Sequence, residues 1–383
     1  MQTIKLYEND AYISAFTAEV ISCVKNDKHY EVILDKTAFF PEGGGQLADL
    51  GTIEKSKVLD VQIKKDEIVH IINSPVELGS VLCKIDWDLR YRRMQNHSGE
   101  HLLSGIAHET YGCNNVGFHM GKEITVDLDK FLTQDELEQL ESKVNNAIYK
   151  NAKIRTEFPS SSELETLDYR SKLELTENVR IVTIEGYDVC ACCAPHVKRT
   201  GEIGLVKILS SMKHRGGIRL QILCGADAFE DYRIKANNLY EIAVRLCAKH
   251  NHELEAFNKL CQENETLKQK NAILSNEINS MRISNPERIS GFCVYFTPDP
   301  DMQSARNLAL ESAKAYNGVS AVFCGEDGNY RYAIASNDIN LTEFASLIRT
   351  QLSAKGGGSP ELLQGSLPTS KENIIKFLEQ VQK

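Results

Sequence analysis

Four residues whose side chains bind metals occur as two pairs with the same spacing. His97 and His101 lie four residues apart in a segment whose apolar residues recur at helical intervals, so their imidazoles are predicted on one helix face. Cys192 and His196 are also four residues apart, in a segment rich in turn-forming residues. Three histidines and one cysteine can bind Zn²⁺ tetrahedrally, and three of them can bind it with a water at an open position. The two pairs therefore predict one zinc site.

The composition limits the kind of protein in which such a site would lie. The 383 residues are 42% hydrophobic and 25% charged, an ordinary globular composition that predicts several domains. No run of about 18 apolar residues predicts a membrane span. The eleven cysteines are scattered and no export signal accompanies them, so we predict a reducing, cytoplasmic compartment, where clustered Cys and His favour metal over disulfide. The net charge of −9 argues mildly against a nucleic-acid partner without excluding one.

The cysteine cluster leaves the choice of ligand open. Cys190 and Cys193 compete with Cys192 by their spacing from the histidine that follows. The simplest alternative is that the three cysteines are small core residues and that the histidine pair is half-buried on its helix.

A second alternative uses the histidine pair alone. The run from His97 to His101, HSGEH, matches the H-x-x-E-H motif of a class of zinc peptidases. In that interpretation Glu100 is the general base and a downstream acid such as Glu177 is the third ligand. This alternative predicts a metallopeptidase and leaves the Cys–His pair without a role.

The chain divides by pattern into four predicted domains of an α+β protein. Residues 1–88 contain short runs of Val, Ile, Tyr and Phe between turn signals, which predict a small N-terminal β-barrel. Residues 89–230 mix helical and strand patterns and contain both ligand pairs, so we predict an α+β zinc-binding domain. Residues 231–288 predict long, coiled-coil-like helices, and residues 289–383 predict a small α/β domain.

Several helices can be bounded from the sequence. Apolar spacing predicts a helix from about Leu89 to Tyr111, which carries the histidine pair. Ser and Thr caps predict helices over 133–151 and 160–174, and one continuous helical pattern covers 231–282.

The long helical pattern contains a heptad seam. Its two interleaved series are Phe257, Asn264, Asn271 and Ile278, and Leu260, Leu267, Leu274 and Met281. Asn at two a-type positions is typical of a parallel two-stranded coiled coil, so we predict a homodimer. An antiparallel hairpin within one chain, with the apolar run Leu239–Leu246 as the partner, explains the pattern equally well.

A glycine-rich segment precedes the histidine helix. From Leu34 to Gly51 it reads LDKTAFFPEGGGQLADLG, and Gly43, Gly44 and Gly45 permit positive φ and close approach of the backbone to a ligand. The uncharged hydrogen-bonding side chains of Thr37 and Gln46 lie close by. No Lys-Ser/Thr pair follows the glycines, so the segment is not a phosphate loop, and a plain hairpin connection is the alternative to a ligand-binding loop.

The order of these segments resembles one protein family. TAFFPEGGGQLADLG, NHSGEHLLSG, VGFHMG and CCAPHVKRTGEIG occur in the order seen in the editing domain of alanyl-tRNA synthetases and in the free-standing AlaX-type proteins. The resemblance covers roughly Thr37 to Gly225. The segment AKGGGSPELLQGS resembles the C-terminal, DHH-associated domain of those synthetases. With the coiled-coil segment, the chain resembles the long form of AlaX.

The resemblance implies a zinc-dependent hydrolase. In this family a threonine and a glutamine of the glycine loop lie near the aminoacyl group, and they match Thr37 and Gln46. The family's four zinc ligands match His97, His101, Cys192 and His196. The implied activity is ATP-independent hydrolysis, in trans, of the ester in tRNA(Ala) mischarged with serine, with glycine as a second candidate.

The chain departs from the family's usual pattern at two places. Family members often read Cys-Gly-Gly-Thr-His where this chain has Cys-Cys-Ala-Pro-His from Cys192 to His196, so its loop is stiffer and lacks a threonine hydroxyl. In the C-terminal domain, Ser359 stands where an arginine is common, which predicts a weaker phosphate contact.

A basic stretch beside the Cys–His pair is the candidate contact with RNA. Between His196 and Gln221 a single acid, Glu202, accompanies the basic residues Lys198, Arg199, Lys207, Lys213, Arg215 and Arg219, and Arg90, Arg92 and Arg93 could add to them. Such a stretch could meet acceptor-stem phosphates. The residues predicted to bind substrate are Gly43, Gly44, Gly45, Lys198, Arg199, Arg215 and Arg219. A solvated basic face is one alternative, and a non-enzymatic tRNA-binding module with structural zinc is another. The resemblance of residues 289–383 predicts tRNA affinity and dimerisation there.

Overall fold

The computed structural model describes residues 3–171, 179–298 and 301–381. Helices and strands are mixed in both parts of the fold, as the predicted α+β class requires. The chain forms two compact units, Met1–Glu241 and Ile242–Lys383. The finer division into four domains stays a prediction. Within the described residues, each helix is too short or too polar to span a bilayer.

The first unit combines fifteen strands with helices of very different length among its described residues. Its strands are β1 (Ile4–Lys5), β2 (Ala15–Asn26), β3 (His29–Leu34), β4 (Lys36–Thr37), β5 (Gly51–Ile53), β6 (Ser56–Lys64), β7 (Glu67–Ile72), β8 (Gly79–Ile85), β9 (Asn115–Met120), β10 (Ile124–Leu128), β11 (Ile154–Glu157), β12 (Ile181–Ile184), β13 (Asp188–Ala191), β14 (Val206–His214) and β15 (Gly217–Cys224). Its helices are α1 (Leu6–Asn9), α2 (Trp87–Tyr111), α3 (Gln134–Tyr149), α4 (Ser161–Leu164), a 3-10 turn at Thr200–Ile203, and α5 (Gly225–Arg245), which crosses the boundary between the units.

Six strands close into a barrel in the order β2-β3-β7-β6-β5-β8. Their side chains alternate between the interior and the surface, as in β8, where Val81, Cys83 and Ile85 are buried. The glycine-rich segment contains β4 and then turns tightly, because Gly43 and Gln46 exchange both backbone N–H···O bonds at 3.0 Å. This turn fixes the position of the Gln46 side chain.

The histidine helix, α2, begins and ends at clear signals. The Asp86 side chain accepts a hydrogen bond from the backbone N–H of Leu89, and Gly112 ends the helix with φ 62°. From Met94 to Ala107 the helix is buried along its whole length. It packs closely on β15, because a Cβ atom at Gly99 would collide with Sγ of Cys224. The predicted helix over Leu89–Tyr111 is confirmed, with two further residues at its start.

Two small sheets surround α2. One has the order β14-β15-β10-β9 and the other the order β11-β12-β13. In the second sheet, β12 and β13 form a hairpin in which Val182 pairs with Cys190. The segment that leaves β13 carries Cys192 and His196, so the hairpin brings the second ligand pair back to the fold.

The two helices predicted from Ser and Thr caps have different outcomes. α3 has a complete capping box between Thr133 and Glu136, and its buried face includes Leu137 and Leu140. The predicted helix over 160–174 is wrong beyond its first turn, because α4 spans Ser161–Leu164 and residues 165–171 are not helical. α4 buries none of its residues, so no packing prolongs it. Residues 172–174 lie outside the described part.

The second unit is a mixed sheet with helices. Its strands are β16 (Glu287–Ile289), β17 (Phe292–Thr297), β18 (Val319–Glu326), β19 (Asn329–Ser336), β20 (Lys355–Ser359) and β21 (Leu362–Leu367), and its helices are α6 (Glu253–Ile283), α7 (Met302–Tyr316), α8 (Thr342–Leu352) and α9 (Lys371–Gln380). The sheet order is β16-β17-β18-β19-β21-β20, with β17 and β18 parallel. The glycine run lies on β20, at an edge of the sheet.

The continuous helix predicted over 231–282 is wrong in one respect. The pattern forms two helices, α5 and α6, separated by residues 246–252. Cys247 and Asn251 have φ of 51° and 62° in this interval, a left-handed backbone that cannot continue an α-helix. The whole heptad seam from Phe257 to Met281 therefore lies on α6.

Candidate metal centre

The four predicted ligands lie together in the first unit. His97 and His101 face the same way from α2, and Cys192 and His196 come from the segment that follows β13. Their ligand atoms all lie within 4.8 Å of one another. Sγ of Cys192 is 3.6 Å from Nε2 of His97 and 3.4 Å from Nε2 of His196. The three imidazoles are buried and Cys192 is half-buried, so the group could hold one metal ion.

Acceptor groups hold the two helix histidines from behind. Nδ1 of His97 lies 2.8 Å from Oε1 of Gln46, and Nδ1 of His101 lies 3.3 Å from Oδ2 of Asp188. Both partners are oxygens that only accept, so each Nδ1 carries the hydrogen. Asp188 is itself fixed by Arg170, whose Nε and Nη2 donate to its two oxygens at 2.8 and 2.9 Å. This arrangement, with Nε2 toward the centre, is the one that metal-binding histidines require.

The third histidine is held by a serine of the opposite element. Nδ1 of His196 lies 3.0 Å from Oγ of Ser98, which also accepts the backbone N–H of Val197 at 3.2 Å. Ser98 is fully buried on α2, next to His97 in the chain. One hydroxyl thus orients His196 and fixes the backbone of its segment to the histidine helix.

The charges at the centre also suit a metal. Burial raises the pKa of the Cys192 thiol, but the three imidazoles outweigh burial and hold this pKa well below its usual value. Burial lowers the pKa of His101, yet Cys190, Cys192 and Asp188 raise it well above its usual value. Burial lowers the pKa of His196 to about 3, so its imidazole is neutral. A metal ion would therefore meet a thiolate and would displace one imidazolium proton.

The competing cysteines occupy different places. Cys190 forms a second possible group with His101 and Asp188, on the outer side of the His101 ring. Cys193 is exposed. The four-residue group is the one that includes both predicted pairs, and its cysteine is Cys192.

Three of the four residues, His97, His101 and Cys192, line a cleft of about 970 Å³. The polar and charged residues that line it include Lys5, Glu8, Glu100, His108, Asn114, Asn115, Asp168, Arg170 and Arg180, and its apolar lining includes Val116, Phe118 and Phe158. A cleft of this size accommodates a ligand of nucleoside size.

Glu100 is buried beside the ligands and is already bonded. Its Oε1 accepts from Oγ of Ser104 at 2.6 Å and from the side-chain amide of Asn115, and its Oε2 lies 3.9 Å from Nε2 of His101. These bonds indicate that Glu100 fixes the cleft wall. Glu177, the third ligand of the peptidase interpretation, lies outside the described residues.

The glycine-rich segment reaches the cleft through its middle. Gly44 lines the cleft, and a Cβ atom placed there would lie 4.0 Å from Cε1 of His97. Gly45 has φ 83°, and a Cβ atom there would collide with the backbone of Phe118, so only glycine fits. Gln46 contacts His97, while its Nε2 is buried and has no partner among the described residues.

Thr37 does not line the cleft. It is fully buried, its hydroxyl lies 2.8 Å from Nε2 of His70, and it accepts the backbone N–H of Phe39 at 3.1 Å. Nδ1 of His70 faces the carbonyl of Val32 at 3.1 Å, and burial lowers the pKa of His70 to about 4. The neutral ring therefore donates from Nδ1 and accepts the Thr37 hydroxyl at Nε2. The role of Thr37 toward an aminoacyl group stays a prediction.

The predicted basic contact is only partly available. Arg90 is fully buried in an ion pair with Asp49, and its Nη2 donates to the carbonyl of Ala38 at 2.6 Å, so its predicted addition to the RNA contact is wrong. Arg219 donates to both oxygens of Asp127 at 2.6 and 2.7 Å. Lys198, Arg199 and Arg215 are exposed. None of the four predicted basic substrate contacts is among the cleft-lining residues that the structure describes.

Sequence reasoning missed the residues that support the ligands. Ser98 is next to His97 in the chain, and Asp188 lies four residues before Cys192, at the start of β13. Only this nearness to the predicted ligands indicates in the sequence that either residue supports them. Arg180 gave no signal, although it lines the cleft and contacts the ligand segment.

Two segments of the chain match known protein families, and both contain predicted site residues. Residues 179–220 match the family described as the threonyl and alanyl tRNA synthetase second additional domain, and residues 4–89 match the class II (A) tRNA synthetases. The chain is 30% identical to an alanine–tRNA ligase from Ignicoccus hospitalis over 99% of its own length and 43% of the ligase. It is 26% identical to the alanyl-tRNA editing protein AlaX-L from Pyrococcus horikoshii, over 97% of this chain and 96% of that protein. It is 27% identical to the alanyl-tRNA editing protein Aarsd1 from Danio rerio, over 94% and 92% of the two chains.

One solved structure aligns with part of the chain. The C-Ala domain of alanyl-tRNA synthetase from Aquifex aeolicus is 17% identical over 25% of this chain and 98% of that domain, with a TM-score of 0.19, which is too low to assign a fold. The chain spans less than half the length of the alanine–tRNA ligases that it matches, but more than nine-tenths of AlaX-L. The resemblance drawn from the motifs is thus confirmed: the chain is similar, along its whole length, to the AlaX-type alanyl-tRNA editing proteins of the long form.

Proposed function

We propose that this chain is an aminoacyl-tRNA hydrolase that edits in trans, using zinc to hydrolyse the ester of tRNA(Ala) mischarged with serine. The observation that carries the proposal is the group of His97, His101, Cys192 and His196, three of which line a cleft. Glycine is the second candidate amino acid. The relatives that the chain covers almost completely are named as alanyl-tRNA editing proteins, which supports the reaction class.

The spacing of the donor atoms supports zinc. A tetrahedral ion with nitrogen at about 2.1 Å and sulfur at about 2.3 Å separates the two kinds of donor by roughly 3.6 Å. Sγ of Cys192 lies 3.6 and 3.4 Å from the Nε2 atoms of His97 and His196. Because Nδ1 of each ring is engaged elsewhere, too few hydrogens remain for Sγ and the three Nε2 atoms to hydrogen-bond to one another.

The reaction needs modest assistance, because an aminoacyl ester is already activated. The oxygen of a water bonds to the ester carbonyl carbon, the bond from that carbon to the ribose oxygen breaks, and the ribose oxygen takes up a proton. Bound zinc would supply a Lewis acid for the carbonyl oxygen or a ligand site for the substrate's amino group. Gln46 would keep His97 oriented, and Gly44 would let the substrate approach this ring closely.

Exposed basic residues support the RNA partner. We assign Lys198, Arg199 and Arg215 to the acceptor-stem phosphates, because they are exposed and follow the ligand segment in the chain. Arg219 is a weaker candidate, since its guanidinium already binds Asp127. On this proposal the protein acts in the cytoplasm; that location stays a prediction.

The heptad seam supports a homodimer. Its apolar residues on α6 are 46 to 73% exposed; they are Phe257, Leu260, Leu267, Leu274, Ile278 and Met281. A parallel coiled coil with a second copy would bury them and would pair Asn264 and Asn271 with their equivalents.

A deacylation assay tests the proposed reaction. Purified protein is incubated with Ser-tRNA(Ala) and with Ala-tRNA(Ala), after removal of metal by a chelator and after restoration with Zn²⁺. We expect zinc-dependent release of serine and little release of alanine. Full activity in the zinc-free protein would contradict the role of zinc. A zinc-replete protein that binds tRNA(Ala) and releases neither serine nor glycine would be a binding module with structural zinc.

A further inference from the structure

Arg180 is a buried arginine that holds the ligand segment. It directly precedes β12 and is 6% exposed. Its Nη1 donates to the carbonyls of Cys192 and Ala194 at 2.9 and 2.8 Å. Its own carbonyl accepts the backbone N–H of Cys192 at 3.0 Å. The two Nη1 bonds hold the guanidinium at the cleft, and the backbone bond fixes its residue to the same segment.

The charge of Arg180 lacks a carboxylate partner among the residues that the structure describes. No ion pair joins it to any described Asp or Glu, and its Nε is buried without a hydrogen-bond acceptor there. Arg90, equally buried, is paired with Asp49. Glu8 lines the same cleft, but it lies 3.4 Å from Lys5 and forms an ion pair with it. A buried charge is stable only when it is paired or well hydrogen-bonded, so this guanidinium is suited to an anion that enters the cleft.

Another anion-forming group near Arg180 is already committed. The Cys192 thiolate faces the three imidazoles of the metal centre, and Arg180 binds the carbonyl of that residue. Because Arg180 lines the cleft, an anion that enters it would meet a guanidinium whose Nη1 is already held by the ligand segment. Arginine binds phosphate oxygens with directed, charge-assisted hydrogen bonds, and a guanidinium already fixed in place loses little entropy on binding.

We propose that Arg180 binds the phosphodiester that joins the last two nucleotides of the tRNA acceptor strand. The inference rests on the proposed function, because it takes the aminoacylated 3′ end as the occupant of the cleft. That end carries its ester on the terminal adenosine, and the phosphodiester is the anion adjacent to it. Arg180 would thus hold the substrate's backbone while its other bonds hold the segment that carries Cys192 and His196.

Binding of two unreactive probes tests this contact. The first is cytidylyl-adenosine that carries serine in a stable amide at the terminal ribose, and the second is the same seryl-amide of adenosine, which has no phosphate. Calorimetry measures both on the wild type, on Arg180→Met and on Arg180→Lys. Arg155→Met is the matched control, because Arg155 lies on β11 of the same sheet, is 62% exposed and pairs with Glu185.

The inference predicts a loss confined to the probe with phosphate. Arg180→Met should bind the dinucleotide roughly tenfold to a hundredfold more weakly and the adenosine probe unchanged. Arg180→Lys should recover part of the loss, and Arg155→Met should match the wild type. Equal losses on both probes, or none, would overturn the contact. Metal content and melting temperature are measured for each variant, since Arg180 also holds the ligand segment.

A probe with an altered linkage tests the wild-type protein itself. Replacing the phosphodiester by an uncharged methylphosphonate should weaken dinucleotide binding to the level of the adenosine probe. Undiminished binding would overturn the inference even if Arg180→Met fails to fold. If the dinucleotide binds through Arg180 but Ser-tRNA(Ala) is not hydrolysed, the contact stands and the proposed reaction fails, so the two failures are distinguishable.

Discussion

Replacing Ser98 by alanine should weaken metal binding without removing any ligand. The hydroxyl of Ser98 lies 3.0 Å from Nδ1 of His196 and accepts the backbone N–H of Val197 at 3.2 Å. In Ser98→Ala the imidazole is free to rotate, and both donors lose their acceptor in a buried setting. The matched control is Ser104→Ala, since Ser104 is equally buried on the same helix and bonds Glu100.

The expected magnitudes separate the two serines. Loss of a group that orients a ligand lowers metal affinity by about tenfold to a hundredfold. A buried N–H left without a partner costs about 1–3 kcal/mol of unfolding free energy. For a unit of this size that corresponds to a fall in melting temperature of roughly 2–12 °C. Ser104→Ala should lose similar stability and keep the wild-type affinity for zinc.

Competition with a chromophoric chelator measures zinc affinity, and thermal unfolding of the zinc-replete proteins measures stability. We expect the two variants to have similar stability and different zinc affinity. If Ser98→Ala binds zinc as tightly as Ser104→Ala, the hydroxyl does not position His196 for a metal. The four residues would then be a hydrogen-bonded cluster and not a metal centre.

Three further outcomes follow from the site and from α6. Cys192→Ser should lose zinc and deacylation while Cys193→Ser keeps both, as measured by metal content and release of serine; the opposite pattern would exchange the two assignments. Thr37→Val should slow hydrolysis of Ser-tRNA(Ala) and relax the exclusion of Ala-tRNA(Ala), whereas Thr37→Ser, which keeps a hydroxyl for His70, should do neither. If Thr37→Val lowers the melting temperature but leaves the ratio of serine release to alanine release unchanged, Thr37 serves only the barrel core. Light scattering should give twice the chain mass of 42.9 kDa, and replacing Leu267 and Leu274 by glutamate should give the monomer. A wild-type monomer at all concentrations would favour the antiparallel hairpin within one chain.

The sequence points to the four candidate ligands because metal chemistry restricts residue type and helical periodicity restricts spacing. His97 and His101 had to share a face of any helix that contained them. The pairing of this helix with Cys192 and His196 rests only on the residue types that zinc prefers, since no local pattern brings together residues so distant in sequence. The resemblance to a family supplied the same four residues independently.

Other features depend on tertiary contacts that no local pattern records. The charge pattern gave no sign that Arg90 is enclosed with Asp49, because an arginine in an ion pair and one in solvent look alike in a sequence. The helix predicted over 160–174 has serine caps, but its observed first turn, α4, buries none of its residues, so packing does not support it. The break between α5 and α6 depends on left-handed residues such as Cys247, which are not glycines and gave no signal.

The glycine at position 99 limits how this protein can vary. Glycine costs a helix interior about 1 kcal/mol relative to alanine, yet the room for a side chain at this position is filled by Cys224 of β15. A change to alanine, which strengthens most helices, would here push α2 away from the sheet and displace the histidines on either side of position 99. The mutational tolerance at position 99 is therefore the reverse of what helix propensity suggests. A library of variants at this position should be depleted of alanine as strongly as a library at His97 is depleted of every residue that cannot bind a metal.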